Sequence, residues 1–174
     1  LGSGVGGIIT LSEQYDVMRN RGPSRVSPFL IPMMLPDMAS GRVSMDLGAK
    51  GPNFCPVSAC ATGADAIGEA TEMIKRGVVD LAIAGGSEAA ICPIAIAGFA
   101  SCKALSMNNE NPLKASRPFD LHRDGFVLGE GAAVLLIEDL EHAKKRGANI
   151  LAEIIGYGST SDAFHITQPS PGGE

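Results

Sequence analysis

The sequence is poor in the residues that build metal and disulfide sites. It has no tryptophan, three histidines and four cysteines, and no two cysteines form a Cys-x-x-Cys pair. These spacings fit neither a zinc site nor a disulfide scaffold, so we expect no metal site and a reducing compartment.

Basic residues and long apolar runs are also scarce. Fourteen Lys and Arg stand against 19 Asp and Glu, for a net charge of −5, whereas proteins that bind nucleic acid carry a basic surface. No uncharged run exceeds the 14 residues of 89–102, and a membrane span needs about 20. Residues 1–20 lack the basic and apolar regions of a signal peptide. We therefore expect no nucleic acid, no membrane and a cytoplasmic protein, or a plastid or mitochondrial one in a eukaryote.

The chain is rich enough in apolar residues to form one α/β domain. Its 174 residues are 45% hydrophobic, which excludes a disordered or fibrous chain. Thr10 and Glu13 form a capping-box pattern, and Pro36 is expected in a first turn or at a kink. Apolar spacing predicts helices over 11–20, 33–47, 60–76, 95–105 (buried) and 140–146, strands over 54–59, 80–85, 132–137 and 151–157, and a surface loop over 108–123. Residues 54–85 would then form a right-handed βαβ unit.

Cys60 stands where the predicted strand 54–59 meets the predicted helix 60–76. Free N–H groups and the dipole at a helix start favour a thiolate, and the Cys60 N–H can face a developing oxyanion. Small neighbours leave room for a substrate, so the pattern is that of a nucleophile elbow built around sulfur. A small buried cysteine is the alternative. The other three cysteines lie in apolar runs and are expected to be shielded.

Several segments together resemble the β-ketoacyl-[acyl-carrier-protein] synthases, most closely the elongating synthase II type. They stand in the family's order and are residues 51–53 (GPN), 58–63 (SACATG), 84–88 (AGGSE), 98–106 (GFASCKALS), 116–120 (SRPFD), 123–132 (RDGFVLGEGA) and 162–167 (DAFHIT). The resemblance covers the whole chain and implies a thiolase-like α/β fold in αβαβα layers. Residues 1–174 would be a partial synthase domain, mostly its N-terminal half with the start of the C-terminal half, without the first strand.

The resemblance also implies roles for individual residues in a decarboxylating Claisen condensation. Cys60 would accept an acyl group from acyl carrier protein, and the carbanion formed from malonyl-carrier protein would attack that thioester. Val5 would lie against the acyl chain and Phe99 beside the cysteine pocket. The substrates would ride on the carrier's 4'-phosphopantetheine, with no other cofactor.

The remaining implied roles concern binding of the carrier protein. The resemblance also implies that the protein works as a homodimer. The segment with Asp162, His165 and Thr167 would be a gate at the pantetheine channel, with Thr167 bonding the pantetheine amide. Arg25 and Lys103 fall in stretches that present basic residues to the acidic carrier.

Some family features are missing, and other roles stay open. The Gly-Thr-x-Thr and Lys-x-x-x-Gly-His motifs, which hold the family's catalytic histidines, do not occur before Glu174. We therefore expect these 174 residues alone to be inactive in condensation. A polyketide ketosynthase, a non-catalytic partner subunit of the chain-length-factor type and a thiolase-fold scaffold protein are the alternatives. Glu130, Arg123 and Asp124 are interpreted as structural.

Overall fold

The structure is a computed structural model that describes residues 1–173. The connections between its helices and strands differ in length, and the longest is residues 102–130. Three single 3-10 turns lie at Pro23–Arg25, Ala59–Ala61 and Pro112–Lys114. The helices and strands are α1 (Ile8–Arg21), α2 (Leu30–Met34), α3 (Met38–Leu47), α4 (Thr62–Lys75), β1 (Leu81–Glu88), α5 (Pro93–Ser101), β2 (Gly131–Glu138) and α6 (Leu140–Lys145).

The two strands pair antiparallel, and α4 packs against β1. The register runs from Leu81 opposite Glu138 to Glu88 opposite Gly131. Gly2 adds a parallel bridge at the outer edge of β1, donating to the Gly85 carbonyl at 2.8 Å and accepting from the Ser87 N–H at 2.9 Å. This bridge brings the glycine-rich start of the chain beside the C-terminal end of β1.

Small residues fill the buried positions, while large apolar side chains lie open. The buried hydrophobic residues are Ala66, Ala84, Ala90, Cys92, Ala95, Ala115, Ile137 and Ala143. On β2, Val134, Leu135 and Leu136 are each about half exposed, at 50%, 49% and 59%. Successive side chains of a strand point to opposite faces, so both faces of β2 present apolar surface.

Most of the predicted elements are confirmed. Helices 11–20, 60–76 and 140–146 and strands 80–85 and 132–137 match α1, α4, α6, β1 and β2 within a few residues. The predicted surface loop 108–123 contains only one 3-10 turn.

Two predicted strands, and the βαβ unit with them, are wrong. Residues 54–59 and 151–157 form no ladder with another segment of residues 1–173, and the strand beside β1 is the antiparallel β2. An apolar run predicts a buried segment but does not specify a strand that pairs with it. Here the burial is also incomplete, since Phe54 and Val57 are 42% and 56% exposed. Without a neighbouring strand to bond, neither run becomes part of the sheet.

Three helix predictions also need correction. The first helix starts earlier than the capping box, at Ile8, and its N-cap Gly7 makes no side-chain bond. The predicted helix 33–47 is instead two helices, α2 and α3. Pro36 separates them, because proline cannot donate the N–H that would continue one helix. The predicted buried helix 95–105 is α5, in which Ala95 is the buried residue.

Gly85 allows β1 and β2 to approach closely. A Cβ there would lie 2.1 Å from the Ala133 carbonyl oxygen, and the backbone φ is +154°. We expect Gly85→Ala to lower the free energy of unfolding by about 2 kcal/mol, because the strand pair must open to relieve the overlap. Urea unfolding measures the loss. Gly129→Ala is the matched control, since its Cβ would meet no atom within 4 Å. Equal stability of the two variants would show that β1 and β2 do not approach as described.

Candidate active site at the start of α4

The chain turns sharply at Ala59 and places Cys60 in the 3-10 turn that leads into α4. Ala59 has φ +51°, a left-handed conformation that is uncommon for a residue with a side chain. The Ser58 N–H donates to Thr62 Oγ1 at 2.8 Å, which ties the entering strand-like segment to the first turn of the helix. Cys60 is exposed. A sharp turn therefore presents Cys60 just before α4, while the β-strand expected before it is absent from residues 1–173.

A cleft of about 680 Å³ opens beside Cys60. Val5 and Phe99 line it together with Cys60, although the three residues are far apart in sequence. The Phe99 ring meets the Phe126 ring edge to face at 5.2 Å between centroids, which supports one wall. Residues of β1 and β2 line the cleft as well, including Gly86 and Ala132. The fold thus brings together the predicted nucleophile and two of the residues predicted to contact substrate.

Glu88 holds the glycine-rich turn that carries Val5. Its Oε2 accepts from the N–H groups of Gly4 at 2.8 Å and Val5 at 2.9 Å, and its Oε1 accepts from Ser3 Oγ at 3.3 Å. This carboxylate therefore fixes the backbone on one side of the cleft. Glu88 was not among the residues predicted for the site. It follows an apolar run and lies 84 residues from Gly4, so the sequence holds no direct signal of this contact.

The acidic residues interpreted as structural do bond backbone groups. Glu130 Oε1 accepts from the Ile91 N–H at 2.8 Å, so it holds the segment before α5 rather than its own turn. Asp124 accepts from Ser106 Oγ at 2.6 Å and the Met107 N–H at 2.9 Å, and these bonds hold the pKa of Asp124 below its usual value. Arg123 donates to the Asp120 carbonyl at 2.8 Å.

The predicted gate segment folds on itself, away from the cleft lining. Asp162 accepts from the N–H groups of Phe164 and Ser170, both at 3.0 Å, which lower its pKa. His165 Nδ1 accepts from the N–H groups of Thr167 and Gln168, both at 3.2 Å. The structure therefore does not bring Asp162, His165 and Thr167 beside Cys60.

The predicted docking cations and the remaining cysteines lie elsewhere. Arg25 ends a 3-10 turn and Lys103 follows α5, and both are exposed. Cys92 is buried, and Cys55 is half-buried and accepts from the Ser3 N–H at 3.2 Å. Cys102 is exposed, so the expectation that it is shielded is wrong. It follows the last turn of α5, where the helix surface is open.

Comparison with known proteins decides the family. The family model described as "Beta-ketoacyl synthase, N-terminal domain" matches residues 1–143. This chain belongs to the beta-ketoacyl synthase family. Among its curated relatives, the "3-oxoacyl-[acyl-carrier-protein] synthase 2" of Synechocystis sp. is 54% identical over 173 residues, covering 99% of this chain and 42% of that protein. The protein of the same name from Staphylococcus aureus is 56% identical over 174 residues, covering 100% and 43%. The chain thus spans less than half the length of these synthases.

Solved structures of ketosynthases have the same fold. A beta-ketoacyl synthase from Burkholderia phymatum matches with a TM-score of 0.89 and 41% identity, over 98% of this chain and 42% of that one. A ketosynthase solved with its type II polyketide acyl-carrier protein matches with a TM-score of 0.86 and 35% identity, over 97% and 44%. The predicted thiolase-like α/β class is therefore confirmed. No helix among residues 1–173 is long and apolar enough to cross a membrane.

Proposed function

We propose that this chain is the nucleophile-bearing part of a 3-oxoacyl-[acyl-carrier-protein] synthase, an acyltransferase that elongates fatty acids. The observation that carries the proposal is the position of Cys60, exposed at the start of α4 and facing a cleft shared with Val5 and Phe99. The identity of 54–56% to proteins named 3-oxoacyl-[acyl-carrier-protein] synthase 2 supports the choice of reaction.

The first proposed step is transfer of the acyl group to Cys60. The Cys60 thiolate attacks the carbonyl carbon of the acyl thioester and forms a tetrahedral oxyanion. We propose that N–H groups at the helix start stabilise that charge. Collapse of the intermediate breaks the bond to the pantetheine sulfur, which leaves as a thiolate and takes a proton. The acyl chain then lies in the cleft, against Val5 and Phe99.

The second proposed step is condensation with malonyl-carrier protein. Loss of CO₂ leaves an electron pair on the α-carbon, which attacks the Cys60 thioester and displaces the Cys60 sulfur. The family's histidine motifs do not occur in these 174 residues, so the groups that stabilise the carbanion must come from residues outside them. We propose that Asp162, His165 and Thr167 gate the pantetheine channel, that no further cofactor is used, and that the active protein is a homodimer in the cytoplasm.

A polyketide ketosynthase remains the second candidate, because one of the matching structures is such an enzyme. Its identity to this chain is 35%, well below the 54–56% of the curated synthases, so fatty-acid elongation is the better supported reaction. A chain-length-factor role is less well supported, since such subunits usually replace the nucleophile and Cys60 is present here.

A chimera tests the proposed reaction directly. This chain would replace the matching residues of the Synechocystis synthase, and the product formed from acyl-carrier protein and malonyl-carrier protein would be measured by mass spectrometry. We expect the chimera to form the 3-oxoacyl product and release CO₂, whereas the 174-residue chain alone forms none. A folded chimera that neither acylates Cys60 nor condenses would overturn the proposal.

Charge reversal tests docking of the carrier protein. In the chimera, we expect Arg25→Glu and Lys103→Glu each to lower kcat/KM for acyl-carrier protein about fivefold at low salt, because an exposed ion pair contributes about 1 kcal/mol. The loss should shrink as salt rises and should be smaller for acyl-CoA. Lys145→Glu on α6 is the matched control. Equal, salt-insensitive losses for both donors would show that these cations do not bind the carrier.

A further inference from the structure

Asp65 joins the nucleophile elbow to a distant part of the chain. One of its carboxylate oxygens, Oδ2, accepts a short hydrogen bond from Ser58 Oγ, two residues before Cys60. The other, Oδ1, accepts from the Tyr157 hydroxyl at 2.8 Å, across 92 residues of sequence. Asp65 stands in the first turn of α4, so it reaches both partners from a rigid element. We call these three residues, Ser58, Asp65 and Tyr157, the elbow clasp.

Gly68 seats the tyrosine of the elbow clasp on α4. A Cβ at Gly68 would lie 2.2 Å from two carbon atoms of the Tyr157 ring, so the ring occupies the space that any other side chain would fill. The ring therefore lies directly on the helix one turn after Asp65, and its hydroxyl points back to that carboxylate. This contact docks the irregular segment around Tyr157, which leads into the gate segment at Asp162.

The elbow needs such support, because its backbone is strained. Ala59 keeps a left-handed φ of +51° between Ser58 and Cys60, and a strained residue persists where its neighbours are held on both sides. On the side before Ala59, Ser58 is fixed twice, through its N–H to Thr62 Oγ1 and through its hydroxyl to Asp65. On the other side, α4 itself holds the chain.

We propose that Asp65 is a positioning residue for the Cys60 reaction. Because Tyr157 bonds the same carboxylate, the hydrogen bond between Asp65 and Ser58 depends on the docking of the segment around residue 157. This inference rests on the proposed function, since it assigns Asp65 to the orientation of the proposed nucleophile. Loss of the elbow clasp lets Ala59 relax, and Cys60 then moves from its exposed position beside the cleft.

The first measurement establishes the contact between Asp65 and Tyr157. The sequence has two tyrosines and no tryptophan, so in a Tyr15→Phe background the absorbance change at 295 nm reports on Tyr157 alone. Hydrogen bonding to Asp65, together with burial and the nearby Glu69 carboxylate, raises the pKa of Tyr157, while a bond from Ser159 opposes that rise. Asp65→Asn should move the titration midpoint downward, with circular dichroism at each pH to detect unfolding. An unchanged midpoint would overturn the inference.

The second measurement tests whether the elbow clasp acts on Cys60. The rate of iodoacetamide alkylation is followed in the 174-residue chain by mass spectrometry, with fragmentation that separates Cys60 from Cys55. We expect Asp65→Asn, Tyr157→Phe and Ser58→Ala each to slow alkylation of Cys60 about fivefold and to leave that of Cys102 unchanged. Glu72→Gln, another carboxylate on α4, and Tyr15→Phe are the matched controls.

A double-mutant cycle separates positioning from general destabilisation. If Tyr157 acts through Asp65 and Ser58, the Tyr157→Phe effect on Cys60 should disappear in the Ser58→Ala background. Additive effects, or equal slowing of Cys60 and Cys102, would overturn the inference. Acylation of the unmutated chimera by acyl-carrier protein is scored separately, so failure of the proposed function and failure of the elbow clasp give different results.

Discussion

Cys60→Ser is expected to abolish acylation of the chimera by acyl-carrier protein. Serine is nearly isosteric, but its hydroxyl does not ionise near neutral pH, so the nucleophile is lost while the elbow is retained. We expect a loss of at least about 10³-fold in the rate of condensation, the range seen when a covalent nucleophile is removed. The measurement is the mass of the intact protein after incubation with acyl-carrier protein, followed by peptide mapping.

Cys102→Ser is the matched control for this variant. Both thiols are exposed, but Cys102 follows the end of α5 and does not line the cleft, whereas Cys60 lies in the turn before α4 and does. The control should acylate at the rate of the unchanged protein. An acyl group mapped to Cys102, Cys55 or Cys92 with Cys60 unmodified would show that the nucleophile has been misassigned.

Val5→Phe is expected to exclude long acyl chains from the cleft. Val5 lines the cleft and is 42% exposed, on a turn whose backbone is fixed by Glu88. A phenyl ring there would fill the space needed by the distal carbons of the substrate. Each excluded methylene is worth roughly 0.8 kcal/mol, so blocking about four should nearly abolish acylation by long chains and spare short ones.

The measurement for Val5→Phe compares acylation of Cys60 by short-chain and long-chain donors, together with the melting temperature. Val78→Phe is the matched control, because Val78 is 53% exposed just beyond α4 and does not line the cleft. A lower melting temperature with the same proportional loss for every chain length would mean that Val5 packs the protein and does not contact substrate.

The local part of the site could be predicted from the sequence. A cysteine among small residues at a predicted helix start is a local pattern, and in the structure Cys60 lies in the 3-10 turn directly before α4. Helix positions followed from apolar spacing and strong end signals, because both are encoded within a few residues. The family's motif order then placed Val5 and Phe99, and both line the cleft with Cys60.

The long-range part of the site could not be predicted in the same way. Glu88 bonds the Gly4 N–H across 84 residues, and Tyr157 bonds Asp65 across 92. Neither spacing leaves a periodic signal, and no partner alone differs from an ordinary glycine or polar residue. The same reason explains the wrong strands, since the pairing of a strand depends on a neighbour that the run itself does not specify.

The open faces of β2 make protein concentration a variable in every solution measurement on this chain. Within residues 1–173 the strand pairs with β1 along one edge only, and Val134, Leu135 and Leu136 are half exposed. Unpaired backbone beside apolar side chains is a template on which a second molecule can add its own strand and begin aggregation. Kinetic and unfolding experiments on the isolated chain therefore belong at low micromolar concentration, with light scattering recorded alongside each signal. A lysine at position 135 would place a charge on this strand and hinder stacking of one molecule on the next.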